Sequence, residues 1–134
     1  MSYCQNEGMV PVSLLSCPYS DPSEVVKNLR FEAAVTACAH LASLGKIVIC
    51  PVVMNHPVEQ NLRKTGRRTP PGFWVTLEQS VAAICDEIIV LKIDGWQTSK
   101  GVMREIALFR YAEKPGWELD GNLSLSALVD VEII

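Results

Sequence analysis

The stretch "DEIIVLKIDGWQTSKGVMREIALFRYAEK", residues 86–114, decides the fold because two different hydrophobic patterns follow each other in it. Its first part, "EIIVLKI", is a nearly continuous apolar run, which is typical of a parallel strand buried on both faces. After the turn, Val102, Ile106 and Phe109 recur at helical spacing, and the Pro-Gly pair at 115–116 ends that pattern. A buried strand that leads directly into an amphipathic helix predicts one unit of an α/β domain.

The preceding part of the chain predicts a strand, a long helix and a second strand. "MVPVSLLS" (9–16) predicts the first strand and "KIVICPVV" (46–53) the second. The helix is predicted to have Asp21 as its N-cap and Pro22 at its first position, and to end at Gly45. This order implies a right-handed parallel crossover. The predicted buried face of the helix consists of Val26, Leu29, Ala33, Ala37, Leu41 and Leu44.

The remaining segments complete the predicted architecture. Residues 54–72, "MNHPVEQNLRKTGRRTPPG", contain turn formers and a basic cluster without an apolar period, and predict a long loop. "FWVTLEQSVAAIC" (73–85) predicts a helix, "WEL" (117–119) a fourth strand, and the tail "NLSLSALVDVEII" (122–134) a strand or a short helix. The sequence therefore predicts one compact, doubly wound, three-layer α/β domain, Rossmann-like or flavodoxin-like, with a parallel sheet of four to five strands.

The composition narrows the possible partners. The chain has 134 residues, enough for a single domain, and its net charge of -3 gives no basic surface for a nucleic acid polymer, so a small molecule is the expected ligand. Five cysteines without C-x-x-C spacing indicate reduced thiols. The N-terminus does not resemble a signal peptide, and no apolar run is long enough to span a membrane. We therefore expect a cytoplasmic protein that does not bind membranes.

Three segments are candidates for the site, because ligands of parallel sheets bind beyond the carboxyl ends of the strands. They are "SCPYSD", the loop beginning at "NHP", and "DGWQTSKG". Neither a G-x-G-x-x-G fingerprint nor a Walker loop occurs, and we expect no cofactor and no metal. Ser99 can cap the last helix while Gly101 lets a ligand approach backbone N–H groups, and Glu105 follows about one and a half turns later. The simpler alternative is a plain helix cap and a solvated carboxylate.

The segments "LLSCPYSDP", "RFEAA", "NHP", "CDEIIVLKIDGW" and "SKGVMREIA" together resemble the nucleoside 2-deoxyribosyltransferase-like superfamily. They are most similar to a small bacterial and phage branch of unknown function, marked by Pro-Tyr-Ser and by Asp-Gly-Trp-x-x-Ser-x-Gly. The characterised relatives are nucleoside deoxyribosyltransferases and nucleoside 5'-monophosphate N-glycosidases. The resemblance, over residues 11–115, implies the α/β fold and a hydrolase or transferase that acts on the N-glycosidic bond of a nucleoside or nucleotide.

The same resemblance implies roles for individual residues. Ser99, Gly101 and Glu105 fit the relatives' Ser-x-Gly-x-x-x-Glu pattern, so Glu105 is the implied nucleophile, and Ser99 with the N–H groups around Gly101 would hold the 5'-phosphate or 5'-hydroxyl. A surface glutamate with an ordinary pKa of about 4.3 would already be ionised at neutral pH. Glu78 stands where the relatives carry an aspartate that helps in the site. Tyr19 is expected to line the base or sugar pocket.

Three further residues are expected near the substrate. Pro18 belongs to the same first-loop motif as Tyr19, His56 could contact the nucleobase, and Trp96 could pack at the mouth of the crevice. The relatives form dimers or larger assemblies in which a neighbour completes the pocket, so the resemblance implies a homo-oligomer. The apolar tail from 123 to 134 is a candidate for that contact.

Two other functions compete with the glycosidase interpretation. The first is a non-catalytic nucleotide-binding module with the same crevice. The second is a redox protein similar to a monothiol glutaredoxin, in which Cys17 of "SCPYSD" would be a thiolate near a helix N-terminus. In the redox alternative, thiol-disulfide exchange would depend on Cys17.

Overall fold

The computed structural model describes residues 10–128 and contains a five-stranded sheet in the order β2-β1-β3-β4-β5. Strands β1 to β4 are parallel, and β5 pairs antiparallel with β4 at one edge. The elements are β1 (Val12–Ser16), α1 (Glu24–Ser43), β2 (Ile47–Ile49), α2 (Pro51–Lys64), α3 (Phe73–Ile84), β3 (Glu87–Leu91), a 3-10 turn (Trp96–Thr98), α4 (Lys100–Tyr111), β4 (Gly116–Leu119) and β5 (Leu125–Ala127). This is the doubly wound α/β fold that the sequence predicts. The ambiguous tail forms an edge strand as far as it is described.

The sheet separates two apolar cores because successive strand residues point to opposite faces. Leu15 and Ile89 pack on one face with α1 and the start of α2. Leu14, Ile88 and Val90 pack on the other face with α3 and α4. Both faces of the central strands β1 and β3 are therefore covered, which explains why the run in β3 is apolar at almost every position.

The predicted long loop after β2 is wrong, since most of it is helical. Strand β2 ends at Ile49, and α2 runs from Pro51 to Lys64. Pro51 occupies the first turn, where a fixed φ favours the helix and the missing N–H has no intrahelical acceptor anyway. The valines at 52 and 53 make this turn resemble a strand in the sequence. Pro57, which lies inside α2, is a residue that disfavours a helix. The loop shrinks to residues 65–72.

The start of α1 also differs from the prediction. Its N-cap is Ser23, whose Oγ accepts a hydrogen bond from the Val26 N–H at 3.3 Å. The Asp21 carboxylate instead accepts from the Ser23 N–H at 2.8 Å and forms the turn before the helix. The predicted end is confirmed, because Gly45 adopts a left-handed φ of 83° just after the last turn.

The buried face of α1 is only partly the predicted one. Ala37 and Leu41 are buried, whereas Leu29 and Leu44 are exposed. Lys27 is buried instead, since α1 packs on α2 and the Lys27 ammonium lies 2.6 Å from the Glu59 carboxylate of that helix. The buried face of α1 therefore includes an ion-paired lysine that contacts α2, and it excludes two of the leucines predicted from the apolar spacing.

Candidate active site

A cavity of about 420 Å³ lies at the carboxyl edge of the sheet. The loop after β1, the start of α2 and the N-terminus of α4 surround it, as expected for ligand sites of open parallel sheets. Five of the eight candidate residues line this cavity although they are far apart in sequence. They are Tyr19, Glu78, Ser99, Gly101 and Glu105.

Glu105 is buried in the wall of the cavity, with 4% of its surface exposed. The Ser16 hydroxyl at the end of β1 donates a hydrogen bond to Glu105 Oε1 at 2.6 Å. Burial raises the pKa of Glu105 to about 8, and the negative charge of Glu78 adds to the rise, while the Ser16 hydrogen bond and Arg104 oppose it. The expectation of an ordinary surface carboxylate is therefore wrong.

The burial of Glu105 follows from its position on α4. It lies one turn after Val102 and directly before Ile106, and both of these side chains face the sheet. The helical spacing thus contained the signal that this carboxylate is on the buried face. Ser16, the hydrogen-bond donor, was not recognised as a site residue; a polar residue that ends an apolar central strand was the available signal.

The N-terminus of α4 presents donors to the cavity. Ser99 is the N-cap, as predicted, and its Oγ accepts from the Val102 N–H at 3.2 Å. The N–H groups of Lys100 and Gly101 belong to the first turn, where helices have no intrahelical acceptors. A Cβ on Gly101 would lie 3.4 Å from Glu78 Oε1, so a side chain here would fill part of the space between this backbone and Glu78. The arrangement suits an anionic or hydroxyl group.

Glu78 and Arg104 form an ion pair between α3 and α4. Arg104 donates to the Glu78 carboxylate from Nε at 3.2 Å and from Nη2 at 3.0 Å. The glutamate side chain therefore ends against a guanidinium that also lines the cavity. Arg104 was not among the predicted site residues, and its sequence position directly before Glu105 was the only hint.

Tyr19 is held by residues of α1 and α2. Its hydroxyl is hydrogen-bonded to His56 Nδ1 at 2.7 Å, and the His56 ring stacks on Phe31 with centroids 4.2 Å apart. Burial, together with the charge of Glu59, raises the pKa of Tyr19, so its phenol stays protonated. His56 is buried on α2, and not in the predicted loop, because the segment is helical. It lines a smaller cavity beside the main one.

Pro18 and Trp96 do not line the main cavity. Pro18 is fully buried, and Trp96 packs against the core under α3 and α4, with Lys92 Nζ 4.7 Å from its ring centroid. The basic residues after 62 are also outside it. Arg63 pairs with Glu24 and Glu59 on the helical surface.

Cys17 lines the cavity as a buried thiol. Burial raises its pKa to about 12, although Arg30 opposes the shift. An activated thiolate requires the opposite environment, so the geometry gives the redox alternative no support. Within residues 10–128, no group of three or more His, Cys, Asp or Glu side chains is arranged to hold a metal ion. In the same range, no helix is long and apolar enough to cross a membrane.

The Arg30 side chain lies between the first loop and the turn after β3. Its Nη1 donates to the Ser20 carbonyl at 3.0 Å and to the Tyr19 carbonyl at 3.4 Å. Gly95, in that turn, has a left-handed φ of 91°, and a Cβ there would collide with the Arg30 guanidinium. The glycine therefore makes room for the arginine that holds the Tyr19 loop.

Replacing Gly95 with alanine is expected to lower the free energy of unfolding by about 1–2 kcal/mol from backbone strain, and by up to about 1 kcal/mol more where the displaced Arg30 loses its hydrogen bonds, measured by urea denaturation. Gly66→Ala is the matched control, since Gly66 also has a positive φ of 68° but no atom within 4 Å of the added Cβ. Gly66→Ala should lower the free energy of unfolding only through backbone strain, by about 1 kcal/mol. Equal losses in both variants would show that the Arg30 contact does not matter.

The fold and the cavity define the class of protein: a doubly wound α/β domain with a ligand crevice, containing a buried carboxylate, at the carboxyl edge of its sheet. The family model that matches, over residues 11–120, is described as a domain of unknown function, DUF1937. The chain belongs to this family. None of the curated proteins compared with the chain matches it.

Proposed function

We propose that this protein cleaves or transfers the N-glycosidic bond of a nucleoside or nucleoside 5'-monophosphate, with Glu105 as the nucleophile. The observation that carries the proposal is a buried carboxylate, hydrogen-bonded by Ser16, in the same cavity as the open N-terminus of α4. The resemblance to nucleoside 2-deoxyribosyltransferase-like proteins adds support, because Ser99, Gly101 and Glu105 follow their pattern. The proposed place of action is the cytoplasm.

The proposed chemistry uses the two ends of the cavity. The 5'-phosphate or 5'-hydroxyl binds at the N–H groups of Lys100 and Gly101 and thereby holds C1' at Glu105. A Glu105 oxygen attacks C1', the C1'–N bond breaks, and its electron pair leaves with the base, which takes up a proton from solvent water. Water or a second base then attacks C1' and releases the Glu105 carboxylate. The carboxylate stabilises the oxocarbenium-like transition state in both steps.

Glu78 is the second carboxylate of the proposed site. Its ion pair with Arg104 fixes both side chains beside Glu105. In this proposal Glu78 interacts with the base as it leaves, at the position where the relatives carry an aspartate that helps in the site. The longer glutamate side chain is accommodated because Arg104 anchors its end.

The direct test is base release, followed by chromatography, from a panel of nucleosides and their 5'-monophosphates at pH 8. Release of free base from at least one member supports the proposal, and a preference for monophosphates would identify the α4 N-terminus as the phosphate site. Absence of release, with a nucleotide still bound, would contradict it.

Replacing Ser99 with alanine is expected to weaken the use of 5'-monophosphates about tenfold in kcat/KM, because Ser99 holds the first turn of α4 and lines the cavity. It should also destabilise the fold by about 1 kcal/mol through loss of the cap. Ser23→Ala is the matched control, since Ser23 caps α1 in the same way and does not line the cavity. If both variants lower kcat/KM equally, Ser99 acts only as a cap.

A nucleotide-binding module without turnover is the second candidate. The raised pKa of Glu105 favours it, because this carboxyl is mainly protonated at pH 7 and a protonated acid is a poor nucleophile. Assays at pH 8 and above separate the two functions. Binding without base release in this range would establish the module.

We also propose a homo-oligomer. The resemblance implies it, and Val75, Ile84 and Tyr111 leave apolar surface exposed on α3 and α4. The predicted contact through the tail falls partly on residues 129–134, which lie outside the described part of the chain. Analytical ultracentrifugation tests this point, and a monomer at assay concentrations would contradict it.

A further inference from the structure

A second cavity of about 170 Å³ adjoins the first and lies between α2 and α3. Six residues line both cavities: Tyr19, Ser20, Pro51, Val52, Glu78 and Arg104. The smaller cavity, called the side pocket below, is lined in addition by Asn55, His56, Glu59 and Trp74. Ser99 and Gly101, at the N-terminus of α4, line the main cavity but not the side pocket.

The charges around the two cavities favour different chemical groups of a ligand. Lys100 and the N-terminus of α4 favour an anion in the main cavity. The side pocket contains the carboxylate of Glu59, which Lys27 and Arg63 contact at 2.6 and 3.4 Å. Arg104 also lines this pocket, but its guanidinium is paired with the Glu78 carboxylate at 3.0 Å. An uncharged group is therefore the better occupant of the side pocket.

The geometry of a nucleotide fits this division. Its base and its 5'-phosphate are attached to opposite ends of the sugar ring, at C1' and through C5' at C4'. With the phosphate at the α4 N-terminus and C1' at Glu105, the base has to extend away from that N-terminus. The side pocket adjoins the main cavity through the shared residues and is not lined by the α4 N-terminus, so it is the space open to the base.

Two side chains of the side pocket are available to a planar heterocycle. The Asn55 amide makes no hydrogen bond to any side chain or backbone group of residues 10–128. Trp74 is partly buried in the first turn of α3, and its ring is fixed by an edge contact with Phe73 at 5.0 Å between centroids. His56 is already engaged by Tyr19 and Phe31.

We infer that the side pocket binds the base of the substrate, with Trp74 packing on the face of the heterocycle and Asn55 hydrogen-bonding its edge. The inference rests on the proposed function for the identity of the ligand. An amide offers a donor and an acceptor side by side, which matches the paired acceptor and donor on the edge of a nucleobase. Asn55 and Trp74 are then the residues that determine base specificity, whereas His56 positions Tyr19.

The test is calorimetric binding, which does not require turnover. The probes are the 5'-monophosphates of adenosine, guanosine, cytidine and uridine, and ribose 5-phosphate as the probe without a base. At least one nucleotide should bind about tenfold or more tightly than ribose 5-phosphate. Asn55→Ala and Trp74→Ala should each reduce this advantage about tenfold and leave the affinity for ribose 5-phosphate unchanged. Where the parent consumes the nucleotide, the comparison is made in the Glu105→Gln background.

Asn28→Ala is the matched control, because Asn28 is an exposed asparagine of α1 outside both cavities, and its nucleotide affinity should equal that of the parent. Asn55→Asp is the second variant: it keeps the shape but removes the donor, and it should change the ratio of affinities for 6-amino and 6-oxo purine nucleotides. An unchanged advantage in Asn55→Ala and Trp74→Ala, or an equal loss for ribose 5-phosphate, would overturn the inference.

These results remain separable from failure of the proposed function. A protein that releases no base but shows the expected binding pattern is a binding module with this base pocket. A protein that releases base while both variants keep the parent's preference has its base pocket elsewhere.

Discussion

Replacing Glu105 with glutamine is expected to lower the rate of base release by more than about 10³-fold. The amide has no negative charge to attack C1' or to stabilise the oxocarbenium-like transition state. The measurement is the initial rate of base release from the best substrate of the panel at pH 8, parent against variant. It is the largest single effect that the proposed mechanism predicts.

Glutamine at position 105 should also preserve the packing and the hydrogen bond of the parent side chain. It has nearly the same shape, and its amide oxygen can accept the hydrogen bond that Ser16 donates to Glu105 in the parent. Nucleotide binding should therefore survive. Glu32→Gln is the matched control, since it removes one negative charge from an exposed position of α1, and it should keep full activity. Substantial base release by Glu105→Gln would remove Glu105 from the mechanism.

The parts of the fold that could be predicted are those where local signals agree with the tertiary structure. Strand β3 is apolar because both faces of the sheet are covered, and α4 follows with a serine cap and helical spacing. Both elements were predicted from these signals alone. The strand and helix order then determines a parallel sheet and the edge where its ligand site lies.

The errors occur where tertiary contacts override the local pattern. Residues 51–64 read as a strand end and a loop, yet they form α2 because they pack on α1 and carry proline where a helix tolerates it. The side pocket was missed for the same reason, since Asn55 lay in the supposed loop. Glu105 was found through a motif, but its burial and its hydrogen bond from Ser16 depend on contacts that a linear sequence does not show.

The burial of Glu105 leads to the second large effect, a steep dependence of activity on pH. Because the pKa of the free enzyme's Glu105 is raised to about 8, the ionised fraction falls about tenfold for each pH unit below that value. We expect kcat/KM for base release to be about a hundredfold lower at pH 6 than at its plateau above pH 8. A kcat/KM that is level between pH 5.5 and 9 would contradict the assigned protonation state.

The ionisation of Glu105 should also change the stability of the protein with pH. A stability measurement contains no substrate, so it separates the ionisation of Glu105 from that of the substrate. The folded pKa of Glu105 lies above its unfolded value, so the native state holds a proton that the unfolded state releases between pH 4.5 and 8. Its contribution favours the native state at low pH and is lost as pH rises, with a penalty on the order of 4 kcal/mol at pH 8. Glu105→Gln carries no such charge, so its Tm should exceed that of the parent by roughly 10–20 °C at pH 8 and by only a few degrees at pH 5. Parallel Tm profiles for the two proteins would mean that Glu105 ionises normally in the fold, and the activity profile would then require another titrating group.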